Sequence, residues 1–111
     1  MARVLDLNSV QRPTLELTLM DKDRTTLRVT IPKEALIQEL QGIDTEALTK
    51  GDRDSVDIAF DLAARLISCN RDYVEVTAQE LRSTYNMDME ALLIFFGAYW
   101  EFIDEVIKAK N

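Results

Sequence analysis

Histidine is absent from these 111 residues. With it go the side chain best suited to moving protons near neutral pH and every Cys–His or Ser–His nucleophile pair. A single cysteine, Cys69, rules out an internal disulfide and accords with a reducing compartment. It falls beside the apolar face of a strongly periodic helix, where a buried, inert thiol is expected. Metal-binding spacing is also missing. The loop "GDRDSVD" offers Asp52, Asp54 and Asp57, but Val56 stands where an EF-hand needs an oxygen ligand and Asp57 where it needs glycine. The chain therefore reads as a non-enzyme with no cofactor and no metal. Long apolar runs are scarce too. "MARVLDLNSVQRP" has no signal-peptide core, and "ALLIFFGAYW" is about half the length of a membrane span. A soluble, cytoplasmic protein is expected. Basic residues number 13 against 20 acidic ones, a net charge of −7, which argues against binding nucleic-acid phosphates.

What remains has the length and apolar content of a single domain, residues 1–111, with no repeat or Pro/Gly/Ser linker to divide it. Thr14–Met20 and Thr25–Ile31 each alternate apolar and polar residues around the polar turn "DKDR". They predict an antiparallel hairpin over 14–31 with one apolar face. Two strands are marginal alone, so helices must cover that face or "RVLDL", Arg3 to Leu7, must extend it. A helical part over 33–109 follows. Pro32 suits the first turn of a helix carrying Ala35, Leu36 and Leu40 on one side and closing at Gly42. "DTEALTKGDRD" reads as one helical turn and a loop broken by Gly51. From Ser55 to Cys69, Val56, Ala59, Phe60, Ala63, Leu66 and Ile67 share a face, with Ile58, Leu62 and Cys69 beside it. "YVEV" reads as a short extended piece. Thr77 and Glu80 have the spacing of a capping box, and Asp88 can cap a last helix from Met89 to about Lys108. The class is α+β, hairpin first and a mainly helical bundle after.

The last helix holds most of the large aromatics. Met89, Leu92, Leu93, Phe96, Tyr99, Trp100, Ile103 and Ile107 make one apolar face, and Phe95, Phe102 and Val106 run beside it. Together they span roughly 180°, wider than the ~100° stripe of an ordinary surface helix. Either both stripes are covered within the monomer, or one of them contacts another chain. Phe95, Tyr99, Phe102 and Val106 are the expected protein-binding residues, toward a partner or toward a second copy of this chain in self-association.

Three stretches, "PTLELTLMDKDRTTLRVTIP", "LISCNRDYVEVTAQEL" and "LLIFFGAYWEFIDEVIKAKN", follow one another in an order that resembles the small tail assembly chaperones of long-tailed bacteriophages. In that family a strand pair precedes helices and an aromatic helix closes the chain. The resemblance implies a non-catalytic protein of the host cytoplasm that binds the tape measure protein. It would recruit the major tail tube protein during tail assembly and be absent from the mature virion. It also implies a longer frameshift product as a companion, because Ala109-Lys110-Asn111 can be encoded by a slippery heptamer. An acidic regulatory protein that mimics DNA is the alternative from another class.

Overall fold

The computed structural model describes residues 13–109. The hairpin forms as β1 (Leu15–Thr18) and β2 (Thr26–Val29), paired antiparallel with Leu15 opposite Val29 and Leu17 opposite Leu27. Both strands are shorter than their alternation suggested, and one further rung, Leu19 N–H to Thr25 C=O at 2.8 Å, closes the ladder. The turn has no glycine, and Arg24 takes the left-handed conformation at φ 50°. The Asp21 carboxylate holds the turn by accepting from the backbone N–H and the hydroxyl of Thr25. Arg3–Leu7, the other candidate for extending the hairpin, lies outside the described residues.

Five helices follow: α1 (Glu34–Gln41), α2 (Thr45–Thr49), α3 (Arg53–Ile67), α4 (Ala78–Ser83) and α5 (Met89–Ala109). Pro32 stands one residue before the N-cap Lys33, outside the first turn expected for it. The apolar side of α1 is Leu36, Ile37 and Leu40, and Ala35 faces solvent. Asp44 caps α2 by accepting from Ala47 N–H at 3.1 Å, and Gly51, at φ 76°, supplies the left-handed residue that ends the turn. Asp52 accepts from Ser55 N–H, so α3 starts at Arg53, two residues earlier than its apolar pattern. The Thr77–Glu80 capping box is complete, with both reciprocal bonds at 3.1 Å. Asp88 caps α5 through Ala91 N–H at 2.8 Å.

Among the described residues "YVEV" pairs with no strand. The sheet contact comes instead from the residues just before it, because Asn70 folds them into a tight loop. Its side-chain oxygen accepts from Asp72 and Val74 N–H, and its amide donates to the carbonyls of Ile67 and Val74. The loop then covers the outer edge of β2. Thr30 N–H donates to Cys69 C=O, Arg71 N–H donates to Arg28 C=O, and Arg28 N–H donates to the Asp72 carboxylate.

Helix α3 is the centre of the molecule, touching α1, α2, α4, α5 and β2. Its Leu62, Leu66 and Ile67 are fully buried with Leu27 and Val29 of β2 and Leu92, Tyr99 and Ile103 of α5. Each large apolar side chain so buried contributes about 1.5–3 kcal/mol. Arg82 fastens α4 to α3, with its guanidinium 4.3 Å from the Phe60 ring centre and 2.9 Å from Asp57. Among the described residues, every buried side-chain polar atom has a hydrogen-bond partner.

Candidate protein-docking surface

One polar contact accompanies the apolar packing of α5. Tyr99 is fully buried, and its hydroxyl donates to Thr30 C=O at the end of β2, 2.9 Å away. Around it the rings form a tilted ladder: Phe95 to Phe96 at 5.7 Å, Phe95 to Tyr99 at 5.4 Å and Tyr99 to Phe102 at 6.1 Å. Phe95 is 3 % exposed and Phe102 8 %, while Val106 is half-buried against the same cluster. The expected binding set Phe95, Tyr99, Phe102 and Val106 is therefore corrected: the first three are core residues, and the fourth packs on them. With Tyr99 facing inward, the helix turns its Trp100 edge outward, leaving Trp100 37 % and Ile107 52 % exposed. The charged residues of α5 carried this signal. Glu90, Glu101, Asp104, Glu105 and Lys108 lie diametrically opposite Tyr99 on the helical wheel, so the true core face is centred there.

A second open apolar surface lies elsewhere. On the inner face of the hairpin, β2 is fully covered, but Leu15 and Leu17 of β1 are only half-buried. Beneath them a groove of about 310 Å³ runs between β1 and α5, walled by Leu15, Leu17 and Leu19 on one side and Ala91, Ile94 and Ala98 on the other. Met20, Tyr85 and Met87 also line it, and Ile94 is 64 % exposed. The periodicity of α5 had left Ile94 and Ala98 off both apolar stripes. Met20 and Ile94 are unremarkable singly, so only their convergence in three dimensions reveals the groove.

The edge of β1 above this groove is also open. Leu19 N–H donates to Thr25 C=O, and Arg28, opposite Glu16, turns its own N–H and C=O away from β1; in that phase the N–H and C=O groups of Glu16 and Thr18 point away from β2. They have no partner among the described residues. The rim is acidic. Glu16 is exposed on β1, and Glu101 and Glu105 continue the Ile94–Ala98 line of α5 by helical spacing. None of the three takes part in the ion pairs found among the described residues.

The remaining reactive groups are structural. Burial raises the Cys69 thiol above its ordinary value, partly opposed by Lys33. Asp52 caps α3, Asp57 pairs with Arg82, and no cluster able to hold a metal occurs among the described residues. No described helix is long and apolar enough to cross a membrane. Comparison with protein families, with curated proteins and with solved structures finds no match to this chain.

Proposed function

We propose that this chain is a tail assembly chaperone of a long-tailed bacteriophage: a non-catalytic protein that holds apolar segments of the tape measure protein and brings tail tube subunits to it in the host cytoplasm, then leaves before the virion is complete. The observation that carries the reading is the apolar groove between β1 and α5, bordered by an open strand edge that carries Glu16. A holdase needs apolar surface for its client, like charge to keep loaded copies apart, and no catalytic group. The excess of acid in a chain of net charge −7 serves the second need.

Titration calorimetry tests this directly. The full chain is titrated with purified segments of the tape measure protein and with the tail tube protein of the phage or prophage that encodes it, with a DNA-binding protein as a third titrant. Binding to the first or second supports the chaperone reading. Binding to the third alone replaces it with the DNA-mimic reading. A tape measure gene directly downstream of this one would support the same conclusion without any protein.

A further inference from the structure

We propose that the β1 edge and the groove beneath it form a strand-addition site for an extended partner segment with alternating apolar side chains and flanking Lys or Arg. The inference deepens the chaperone reading and rests on it only for the identity of the partner. Three observations carry it. First, Glu16 and Thr18 hold two backbone donors and two acceptors outward at strand spacing, while the other edge of the hairpin is taken up by residues 69–72. An incoming strand satisfies such groups; a helix, bonded to itself, has none to offer. Second, Leu15 and Leu17 overhang the groove half-buried, as edge residues do when the next strand's side chains are missing from beside them. Its volume of about 310 Å³ suits a few alternate side chains rather than the ~10–12 Å diameter of a helix. Third, Glu16 at the groove, and Glu101 and Glu105 farther along the Ile94–Ala98 line of α5, are exposed and in none of the ion pairs found among the described residues. They favour a basic segment over a second copy of this acidic chain.

The test uses the full chain and labelled synthetic peptides, read by fluorescence anisotropy. One peptide alternates Leu and Thr between Lys flanks, a second has the same composition in helical order, and a third carries Glu flanks. The first peptide is expected to bind best, and more weakly as salt rises. Thr18→Pro removes an outward N–H and leaves the β1–β2 ladder bonds in place. It should weaken binding about tenfold with the circular dichroism spectrum unchanged. N-methylating the peptide at the amides that face β1 should do the same without altering the protein, whereas methylating the opposite set should not.

Equal binding of the methylated and unmethylated peptides, or preference for the helical-order peptide, overturns strand addition. Two results reassign the edge to another occupant. One is a dimer in sedimentation that Thr18→Pro dissociates, which points to a second copy. The other is peptide binding that appears only when Leu5 and Leu7 are changed to Asp, which points to the chain's own first residues. The two readings also fail separately. Tape measure segments that bind wild type and Thr18→Pro equally remove this site and leave the chaperone reading standing. Peptide binding at β1 with no affinity for tape measure or tube protein does the reverse.

Discussion

Tyr99 is the residue on which the orientation of α5 turns. Its hydroxyl is satisfied by Thr30 C=O, so Tyr99→Phe leaves that half-buried carbonyl without this partner and is expected to cost about 1 kcal/mol in urea unfolding. Burial, with the nearby Cys69 adding to it, raises the phenol above its ordinary value of 10.0. In the unfolded chain the phenol ionises first, so the stability held by neutral Tyr99 is complete below pH 10 and falls as pH climbs beyond it. Unfolding midpoints measured from neutral to strongly alkaline pH should decline for the wild type and decline less for Tyr99→Phe. The inward turn of the helix makes a second, opposite pair of outcomes. Phe102→Glu buries a charge among Tyr99 and its neighbours and should lose about 3–5 kcal/mol, enough to unfold much of the protein. Trp100→Glu, on the exposed edge, should cost about 1 kcal/mol and leave the fold intact by circular dichroism.

At the scale of elements, the loop between α3 and α4 acts as the third member of the sheet without being a strand. Asp72 joins it to β2 through the Arg28 guanidinium at 2.8 Å and the Arg28 backbone N–H at 2.8 Å. The side-chain bond first, and the backbone bond after it, hold the Asp72 carboxyl below its ordinary 3.8. The contribution of this contact is therefore present above that value and is lost as pH falls through the lowered one. Asp72→Ala should speed hydrogen exchange at the Arg28 amide near neutral pH, and acidification should bring wild type toward the variant. Unchanged protection would mean that the Thr30–Cys69 and Arg71–Arg28 bonds hold the edge by themselves. Among the described residues the opposite edge has no such guard. β1 is short and carries Glu16 outward, both of which limit uncontrolled pairing while leaving the edge able to accept a strand.

Across the whole molecule, apolar surface is divided between a core that closes around α3 and a hairpin that extends past it. The overhang follows from the packing. Tyr99 ties α5 to the β2 side of the sheet, and Ala91, Ile94, Phe95 and Ala98 of α5 leave an unfilled groove beneath β1. Filling the groove from inside should separate binding from folding. Ala98 lines it and is exposed, so Ala98→Phe places a ring in open space beside Ile94. Its melting temperature should match or exceed that of wild type, because the new ring covers Leu17 and Ile94. Calorimetric binding of tape measure segments should weaken in the same variant. A variant that binds as well as wild type would place the client elsewhere, on the Trp100–Ile107 edge of α5.

Much of the fold was legible locally. The hairpin, the order of the helices and the caps at Asp44, Asp52, Thr77–Glu80 and Asp88 depend on residues within a few positions of one another, where spacing and hydrogen-bonding groups decide the outcome. The α+β class follows from them. The candidate site did not. The apolar arc of α5 is wider than one face, and its rotation agrees both with its charged residues, centred opposite Tyr99, and with the Tyr99–Thr30 bond across 69 positions. In that rotation Phe95 and Phe102, expected at the surface, are core, and Trp100 is exposed. The groove needs β1 and α5 side by side, and its key residues, Leu17, Ile94 and Ala98, are ordinary within their own elements. Local chemistry determined which pieces form. The competition among them for the limited space around α3 decided which apolar faces stay uncovered.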